Sequence, residues 1–372
     1  MNILHVVGAR PNFMKIAPIM RAMSKYPKVF KQTLVHTGQH YDTAMSKVFF
    51  DDLQLPEPDV FLGVGSGTHA QQTACIMSAF EPILLERSTD WMFVAGDVNS
   101  TIACALVAAK LGIRTAHVEA GLRSFDRTMP EEINRLLTDQ ISDLLFVTEP
   151  SGLNNLRKEG CPNNKIHFVG NVMIDSLLYF QDLANQSPIL ESLGAHSQEY
   201  MVLTLHRPSN VDHREAFENI LKALVEIGQH IPILFPIHPR TRKLLSKFRL
   251  FNYFTNSNPS EISIIRKGVC LIDPLGYLDF FKLMANAKAV LTDSGGIQEE
   301  TTWLGVPCLT LRKNTERPIT VTEGTNIIVG IDPKKIINEC LNILGDRIKK
   351  GTIPSLWDGF AAQRIVDVLM KT

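Results

Sequence analysis

The sequence predicts an α/β protein made of two Rossmann-like, doubly wound parallel sheets, one in each half of the chain. Short apolar runs alternate with stretches of helical length along both halves, and βαβ units produce this alternation. Polar residues or glycines directly follow most of the apolar runs. The 372 residues also exceed the usual size of a single hydrophobic core, so we expect two domains.

The first half is expected to hold five strands, each a mainly apolar run that suits burial on both faces of a sheet. They lie at residues 3–7, 32–36, 91–95, 114–118 and 144–147. Helices are expected at residues 11–23, 70–86 and 100–111, and after residue 130. Pro11 fits the first turn of the first helix, where no N–H donor is needed.

The second half repeats the alternation with six expected strands, at residues 200–205, 233–237, 268–272, 289–292, 307–311 and 326–329. Helices are expected at residues 213–228, 273–284, 297–304, 333–344 and 357–370. The polar segment 186–198 is expected to lead the chain into this second unit. We therefore place an N-terminal domain at residues 1–172 and a C-terminal domain at residues 173–355.

Composition disfavours several classes of function. Lys plus Arg and Asp plus Glu number 38 each, so no basic excess favours nucleic acid or an anionic membrane. The six cysteines are widely spaced, which fits reduced thiols in a cytoplasmic protein better than disulfides or a metal site. The N-terminus does not resemble a signal peptide, and no apolar stretch reaches membrane-spanning length. Residues 8–13 also lack the Gly-x-Gly-x-x-Gly of a simple NAD domain.

Charged side chains follow the expected strands of the first half, at the edge where open α/β sheets bind ligands. Arg10 follows the first strand, while Asp97 and Glu119 follow two consecutive strands. A lone carboxylate at such a place is more often a turn or a cap. Several on one edge favour acid–base chemistry, and Glu131 and Arg135 join the set just beyond.

The second half carries a complementary set. His206 and His238 each follow an apolar strand directly, next to Arg and Pro, which favours phosphate contact or proton transfer over a histidine at the rim of the core. If the carboxyl edges of the two sheets face each other, the two sets line opposite walls of a cleft.

Residues 293–300, Asp-Ser-Gly-Gly-Ile-Gln-Glu-Glu, join an expected strand to an expected helix. Two glycines there let the backbone approach a ligand, and the helix N-terminus suits a phosphate. Ser294, Gly295 and Gly296 are the candidate phosphate ligands, and Glu300 is a candidate for the hydroxyls of an attached ribose. The alternative is a tight turn whose glutamates only complement the helix dipole.

Taken together, the motifs resemble the non-hydrolysing UDP-N-acetylglucosamine 2-epimerases over nearly the whole chain and in the same order. They are Gly8-Ala-Arg-Pro11, Gly38-Gln-His40, Gly96-Asp97, His117-Val-Glu-Ala-Gly-Leu-Arg123, Pro130-Glu-Glu-Ile-Asn-Arg135, Gly170-Asn171, His206-Arg-Pro208, residues 293–300 and Thr315-Glu-Arg-Pro318. The resemblance implies a glycosyltransferase-B type of fold, with a last helix at residues 356–372 that returns to the N-terminal domain.

The same resemblance implies reversible epimerisation of UDP-N-acetylglucosamine to UDP-N-acetylmannosamine, through elimination of UDP and a 2-acetamidoglucal intermediate. Such a reaction would supply N-acetylmannosamine-type sugars for the synthesis of surface polysaccharide. It implies no nicotinamide, no other cofactor and no metal. The implied catalytic residues are Asp97, Glu119, Glu131 and His206. The implied substrate-binding residues are Arg10, Lys15, Arg135, His238, Ser294, Gly295, Gly296, Glu300 and Arg312.

Two departures from the family's motifs bear on substrate and regulation. The chain has Gly-Ala-Arg-Pro-Asn where many members have Gly-Thr-Arg-Pro-Glu, and His-Arg-Pro-Ser where many have His-Arg-Arg-Glu. Gln39, His40 and Arg207 match positions that contact a regulatory second substrate molecule in some bacterial members. The opening motif also resembles relatives that act on UDP-2,3-diacetamido-glucuronic acid. A cytoplasmic homodimer with a UDP-sugar substrate is the implied assembly.

Other reactions are compatible with these motifs. A hydrolysing 2-epimerase would release free N-acetylmannosamine from the same intermediate, whereas a glycosyltransferase of this architecture would need an acceptor. A catalytically silent nucleotide-sugar sensor would bind UDP without turnover, although the row of carboxylates disfavours it.

Overall fold

The computed structural model of the chain describes residues 1–38, 56–256 and 266–372. Tertiary contacts divide these residues into two compact units. The first unit combines Met1–Tyr179 with the C-terminal segment Ser355–Thr372, and the second unit is Phe180–Pro354. The division falls inside the helix Val172–Asn185, whereas the sequence analysis placed a boundary at its first residue.

The described part of the first unit contains a seven-stranded parallel sheet. Its strands are β1 (Asn2–Val7), β2 (Lys31–His36), β3 (Val60–Phe61), β4 (Trp91–Ala95), β5 (Arg114–Ala120), β6 (Leu144–Val147) and β7 (Ile166–Phe168). Their order across the sheet is β3-β2-β1-β4-β5-β6-β7. Every residue of β4 and β6 is buried, which explains why these strands are continuous apolar runs without alternation.

Helices connect these strands, and several begin at a proline. They are α1 (Arg10–Ser24), α2 (His69–Glu86), α3 (Asn99–Lys110), α4 (Pro130–Ile141), α5 (Pro150–Lys158) and α6 (Val172–Asn185). Proline stands in the first turn of α1, α4 and α5, where its missing N–H and fixed φ are compatible with a helix. The Thr68 side chain caps α2 by accepting a hydrogen bond from the Gln71 amide.

The C-terminal segment packs on the first unit through specific contacts. Trp357 is buried, and its indole Nε1 donates to the carbonyl oxygen of Thr148 at 3.1 Å. The Asp175 carboxylate accepts hydrogen bonds from the amides of Ala361 and Ala362, at 3.2 and 2.7 Å. Asp175 thereby satisfies two of the orphan N–H groups that begin the last helix, Ala361–Leu369.

The described part of the second unit contains a six-stranded parallel sheet. Its strands are β8 (Met201–Thr204), β9 (Ile233–Pro236), β10 (Val269–Ile272), β11 (Ala289–Thr292), β12 (Cys308–Thr310) and β13 (Asn326–Ile328). They are ordered β10-β9-β8-β11-β12-β13. These six strands match the six predicted from the apolar runs.

Helices connect the strands of the second unit, and several of them bury an apolar face. They are α7 (Ile189–Leu193), α8 (Pro208–Val211), α9 (Arg214–Gly228), α10 (Pro239–Phe248), α11 (Tyr277–Ala285), α12 (Gly295–Leu304), α13 (Pro318–Thr322) and α14 (Pro333–Leu344). In α9 the buried residues Phe217, Ile220 and Leu224 recur every three or four positions, as an amphipathic helix requires. They pack with Ile336 and Cys340 of α14 in one core cluster.

Each sheet has one point at which the strand order reverses, and ligands of open α/β sheets bind outside such a point. In the first sheet it lies between β1 and β4, and in the second between β8 and β11. Arg10 follows β1 and Asp97 follows β4, while His206 follows β8 and Ser294 follows β11. The topology therefore places residues that the sequence predicts for the site at the switch point of each sheet.

The structure also contains elements that the sequence analysis did not predict. Strands β3 and β7 have two and three residues, which is too short for a periodic signal. Segment 186–198 was expected to be a connection but contains the short helix α7. Helices α5, α8, α10 and α13 were likewise not predicted. None of the helices among the described residues is long and apolar enough to span a bilayer.

Candidate active site

Glu119 stands at an irregularity of the first sheet. The pairing of β5 with β6 shifts register between Val118 and Ala120, so Glu119 is the extra residue of a bulge. Its φ of 74° lies in the left-handed region, which non-glycine residues rarely adopt. The buried carboxylate forms an ion pair with the Lys15 ammonium of α1. Bulges near active sites redirect a side chain, and here the bulge sets the direction of the Glu119 carboxylate.

Asp97 is brought to the same edge by the turn that follows β4. The Gly96 amide donates to the Val118 carbonyl at 3.0 Å. A Cβ on Gly96, whose φ is 68°, would lie 2.8 Å from Lys15 Nζ and 3.3 Å from Glu119 Oε2. The Gly96 backbone therefore lies against the Lys15–Glu119 ion pair, and a side chain at this positive φ would be strained and would displace Lys15 Nζ. This close approach puts the two predicted catalytic strand ends side by side.

Arg135 of α4 holds Asp97 in position. Its Nε and Nη2 both donate to Asp97 Oδ2, at 3.0 and 2.6 Å, and its Nη1 donates to Glu132 Oε2 at 2.6 Å. Arg135 is buried, whereas the Asp97 side chain is 22% exposed. A guanidinium suits this task because its planar fork can hold two carboxylates at fixed angles. Contact between Arg135 and a nucleotide stays a prediction.

Glu131 and Glu132 occupy different environments in the first turn of α4. Glu131 is half-buried. Glu132 is fully buried and accepts hydrogen bonds from the Ser124 amide and hydroxyl and from the Phe125 amide, each at 2.9 Å. Glu132 therefore fixes the loop before α4 and pairs with Arg135. Substrate contact by Glu131, which the resemblance implied, stays a prediction.

A buried network lies behind these carboxylates. His117 Nδ1 contacts Asp139 Oδ1 at 2.7 Å and His117 Nε2 contacts the Gly96 carbonyl at 2.8 Å. Asp139 Oδ2 accepts from the Gly121 amide at 3.1 Å and pairs with Arg123 at 2.7 Å. Burial alone would raise the pKa of Asp139, but His117 and Arg123 outweigh it and hold the pKa below its usual value. The network joins Gly96 and Gly121, which flank the predicted catalytic positions.

The loop after β1 is held by Asn12. Its Oδ1 accepts from the amides of Gly8 and Ala9, at 3.2 and 3.0 Å, and its Nδ2 donates to the Ala95 carbonyl at 2.7 Å. Asn12 therefore links the two strand ends at the switch point of the first sheet. Arg10 is the first residue of α1, the helix that this loop introduces.

In the second unit, His206 pairs with Asp293 across the switch point. His206 Nδ1 lies 2.9 Å from Asp293 Oδ1, with the histidine side chain 48% exposed and the aspartate fully buried. Burial alone would raise the pKa of Asp293, but His206 and the backbone amides of Arg207 and His206 lower it below its usual value. A buried, ionised carboxylate therefore supports a histidine at the predicted diphosphate site.

The turn after β11 confirms a strand, a turn and a helix at residues 289–304, with Ser294 as the N-cap residue of α12. Gly295 has a reason within the protein for lacking a side chain. A Cβ there would lie 2.5 Å from Glu316 Oε1 and would overlap the Arg317 guanidinium. Besides the predicted approach of a ligand, the buried Glu316 and Arg317 side chains therefore also disfavour a larger residue at this position. Phosphate binding by Ser294, Gly295 and Gly296 stays a prediction.

A chain of buried charges packs under the start of α12. Arg312 donates to Glu316 at 2.8 Å, Glu316 pairs with Arg317 at 2.5 Å, and Arg317 pairs with Glu299 at 3.0 Å. Each side chain is at most 6% exposed. Because a buried charge is costly without a partner, these alternating charges stabilise one another. Arg312, a predicted substrate-binding residue, is part of this chain of buried ion pairs.

Glu300 and His238 lie at different places in the second unit. Glu300 is buried in α12 and accepts a hydrogen bond from the Tyr277 hydroxyl at 3.3 Å. His238 is exposed at the N-cap of α10, where its Nδ1 accepts from the Arg240 amide at 3.2 Å. Both follow parallel strands at the carboxyl edge of the sheet, as the sequence analysis expected.

The three predicted regulatory residues are only partly described. Gln39 and His40 lie outside the described residues. Arg207 is half-buried, and its backbone amide donates to Asp293 Oδ2 at 2.9 Å. Within residues 1–38, 56–256 and 266–372, no three His, Cys, Asp or Glu side chains are grouped so that they could hold a metal ion.

Two parallel α/β units with charged groups at their switch points define a class of enzymes that act on nucleotide-linked substrates. The family model for UDP-N-acetylglucosamine 2-epimerase matches residues 21–370. This protein belongs to the UDP-N-acetylglucosamine 2-epimerase family, which confirms the resemblance and the predicted isomerase class.

Individual relatives agree with this assignment. A UDP-N-acetylglucosamine 2-epimerase homolog of Methanococcus maripaludis is 47% identical over 339 residues, with 91% of each chain covered. The crystal structure of Methanocaldococcus jannaschii UDP-GlcNAc 2-epimerase in complex with UDP-GlcNAc and UDP is 43% identical, with a TM-score of 0.91 and 100% of each chain covered. The full-length match confirms the predicted glycosyltransferase-B type of fold.

One relative has another substrate in its name. A UDP-2,3-diacetamido-2,3-dideoxy-D-glucuronate 2-epimerase of Pseudomonas aeruginosa is 40% identical over 376 residues, with 100% of each chain covered. Overall similarity therefore supports 2-epimerisation more firmly than it selects the sugar.

The structural roles of several residues that shape the site were not identified from the sequence. Glu132, Asp139 and Asp293 are buried carboxylates that hold loops or side chains in place. Asp293 stood in the stretch of residues 293–300, and Asp139 stands one helical turn after Arg135. No local pattern distinguishes them from exposed acids, because their burial comes from tertiary packing.

Proposed function

We propose that this protein interconverts UDP-N-acetylglucosamine and UDP-N-acetylmannosamine by inverting carbon 2 of the sugar. The observation that carries the proposal is the pair of carboxylates, Asp97 and Glu119, at neighbouring strand ends of a chain that belongs to the 2-epimerase family along its whole length. The relative from Methanocaldococcus jannaschii, whose structure contains UDP-GlcNAc and UDP, supports this substrate class.

The proposed reaction is an elimination followed by a re-addition. A base takes the proton from carbon 2, the electrons of that C–H bond form a double bond to carbon 1, and UDP leaves with the electrons of the bond it breaks. UDP then adds back to carbon 1 while carbon 2 receives a proton on the opposite face. The carbon-2 proton is weakly acidic, so its removal depends on simultaneous departure of the diphosphate.

The first unit is assigned the proton transfers. Removal and return of a proton on opposite faces need two acid–base groups, and Asp97, Glu119 and Glu131 are the candidates. Arg135 forms an ion pair with Asp97, and Lys15 forms an ion pair with Glu119. Because these pairs fix the carboxylates before substrate arrives, the site avoids the cost of ordering them during the reaction.

The second unit is assigned the nucleotide and the leaving group. Positive charge and N–H groups stabilise the negative charge that develops on the departing diphosphate. His206, the amides of residues 294–296 at the start of α12, and Arg10 from the first unit are assigned to it. Glu300 is assigned to the ribose hydroxyls, while His238 and Arg312 are assigned to the nucleotide region. The proposal requires both sets of groups to act on one substrate molecule.

Incubation with UDP-N-acetylglucosamine in deuterated water, followed by proton NMR, tests this function. We expect the carbon-2 proton signal to disappear and a stable mixture of two UDP-sugars to form. Accumulation of free N-acetylmannosamine would instead identify a hydrolysing enzyme. Absence of both exchange and turnover would contradict the proposal for this substrate.

The second candidate substrate is UDP-2,3-diacetamido-glucuronic acid, favoured by the 40% identical Pseudomonas aeruginosa relative. It carries a carboxylate at carbon 5 and a second acetamido group, so the two substrates differ in charge. Comparison of kcat/KM for the two UDP-sugars with the same protein decides between them. A preference of more than about tenfold, or about 1.4 kcal/mol in transition-state binding, would identify the better substrate.

We further propose a cytoplasmic homodimer, as the resemblance implies. Sedimentation velocity should then give a mass of about twice the 41.6 kDa of one chain. Regulation by a second substrate molecule, through Gln39, His40 and Arg207, would appear as sigmoidal dependence of the rate on UDP-N-acetylglucosamine. Hyperbolic kinetics over the full concentration range would contradict that part of the proposal.

A further inference from the structure

The Asp293 carboxylate, which follows β11, accepts hydrogen bonds across the switch point of the second sheet from the segment that follows β8. It is fully buried and accepts from the amides of His206 and Arg207, at 3.0 and 2.9 Å, and from Asn210 Nδ2 at 3.1 Å. The His206 ring is its fourth partner, through Nδ1 at 2.9 Å. The backbone and the ring of His206 are thus fixed by the same carboxylate.

This contact determines which ring nitrogen carries the hydrogen. An ionised carboxylate only accepts hydrogen bonds, so His206 Nδ1 must donate to Asp293 Oδ1. The opposite nitrogen, Nε2, is then the one that can meet a substrate, and the side chain is 48% exposed. When Nε2 also holds a proton, the charge of the imidazolium lies next to the charge of Asp293.

We propose that Asp293 is a positioning residue that holds His206 in the Nδ1–H form and directs Nε2 to the departing diphosphate of the substrate. The inference rests on the proposed function, since it assigns His206 to the leaving group. Through His206, Asp293 stabilises the transition state in which UDP leaves, without touching the substrate itself.

A purely structural role is the competing explanation. Asn210 Nδ2 also donates to the Leu311 carbonyl at 2.9 Å, so Asp293 and Asn210 tie together the ends of β8, β11 and β12. In that case Asp293 would matter for folding and for the shape of the loop, and its loss would not depend on the presence of His206.

A double-mutant cycle separates the two roles. We expect Asp293→Asn to lower kcat by roughly 10²- to 10⁴-fold, as loss of an orienting carboxylate does, while KM changes only a few-fold. In a His206→Gln background, Asp293→Asn should cause little further loss, because residues that act as a unit are non-additive. Equal effects in both backgrounds, or an active Asp293→Asn enzyme, would overturn the proposal.

Asp175→Asn is the matched control. Asp175 is also buried and also accepts hydrogen bonds from two consecutive backbone amides, those of Ala361 and Ala362. It has no histidine partner in those contacts. We expect Asp175→Asn to alter stability but to keep kcat and KM within about twofold of the wild-type values at neutral pH.

A spectroscopic measurement keeps the proposal testable if Asp293→Asn fails to fold. In protein labelled with ¹⁵N-histidine, the His206 signals are assigned as those lost in His206→Gln. We expect the Nδ1–H form in the wild-type protein without substrate, whereas an Nε2–H form with bare Nδ1 would overturn the inference. This result does not depend on turnover, so wild-type inactivity on UDP-N-acetylglucosamine would count against the proposed function alone.

Discussion

The two units use paired charges at their switch points in opposite ways. In the first unit, cations hold the candidate catalytic groups: Lys15 pairs with Glu119, and Arg135 pairs with Asp97. In the second unit a buried carboxylate, Asp293, holds the candidate group, His206. In the Arg135–Asp97 and Asp293–His206 pairs the more exposed member is the one assigned to the substrate, whatever its charge, whereas both members of the Lys15–Glu119 pair are buried.

The difference fits the two halves of the proposed reaction. Proton removal from carbon 2 requires carboxylate oxygens, and cations hold such oxygens with fixed geometry. Departure of UDP requires positive charge or hydrogen-bond donors, and a buried carboxylate supports those. In the proposed reaction the first unit thus supplies the carboxylates for proton transfer, and the second unit supplies most of the groups assigned to the departing diphosphate.

The largest expected effect comes from removing a catalytic carboxylate in the first unit. Glu119→Gln keeps the size of the side chain but cannot accept a proton, so we expect kcat to fall by roughly 10³-fold or more. UDP affinity, measured by calorimetry, should change by less than about threefold, because the nucleotide is assigned to the second unit. Loss of UDP binding together with activity would contradict the assignment of proton transfer to the first unit and of the nucleotide to the second.

The next effect comes from the cation that holds a carboxylate. Arg135→Lys keeps the charge but loses the fork that bonds Asp97 and Glu132 together, so we expect kcat to fall by roughly 10- to 100-fold. Arg364→Lys is the control, since Arg364 forms a two-pronged pair with Asp358 in the C-terminal segment. Equal losses in both variants would show that any Arg-to-Lys change disturbs the first unit.

A smaller effect is expected from the close packing at Gly295. Gly295→Ala places a methyl group against the buried Glu316–Arg317 pair, so we expect the free energy of unfolding to fall by about 1–3 kcal/mol. Chemical denaturation provides the measurement, with UDP affinity recorded in parallel. Gly67→Ala is the control, because its nearest new contact, Gln71 Cβ at 3.6 Å, is an ordinary one. An unfolding free energy unchanged in Gly295→Ala would contradict the packing argument.

The last expected effect concerns the pH dependence of stability in the first unit. Burial raises the pKa of Asp175 to about 6, although the amides of Ala362 and Ala361 partly oppose the shift. The folded chain therefore binds this proton more tightly than the unfolded chain, whose carboxyl has the usual value of 3.8. Stability must fall as pH rises between these two values.

Comparison with Asp175→Asn tests this sign. Between about pH 4 and pH 6.5, the melting temperature of the wild-type protein should decrease relative to that of the variant. The difference should be constant above pH 7, where the carboxyl is ionised in both states. A wild-type melting temperature that rises relative to the variant through this window would mean that the pKa is lowered instead.

The sequence was sufficient for the features that depend on local patterns. Apolar runs located the β4 and β5 strands, and the polar residues near their carboxyl ends located Asp97 and Glu119 at the carboxyl edge of the sheet, although Glu119 lies inside β5 rather than after it. The sequence Ala-Val-Leu-Thr-Asp-Ser-Gly-Gly was enough to predict a strand followed by a turn, and the helix expected from residue 297 begins two residues earlier, at Gly295. Such features follow from periodicity and turn chemistry alone.

Features that depend on distant contacts could not be predicted in this way. The bulge at Glu119 depends on the register of β6, and the separate roles of Glu131 and Glu132 depend on where the loop at Ser124 lies. From the sequence, the lack of a side chain at Gly295 was attributed to the close approach of a ligand. The Arg317 side chain, more than twenty positions away in sequence, also disfavours a Cβ at this position. In each case the deciding neighbour lies eight or more positions away along the chain, where local sequence patterns do not indicate it.

The most direct test of the central claim measures deuterium at carbon 2 in the wild-type protein and in Asp97→Asn, with UDP binding recorded for both. The account predicts that the wild-type protein incorporates deuterium from solvent into both UDP-sugars, while Asp97→Asn binds UDP normally and exchanges at least about 10²-fold more slowly. Undiminished exchange in Asp97→Asn would contradict the assignment of proton transfer to the carboxylates of the first unit.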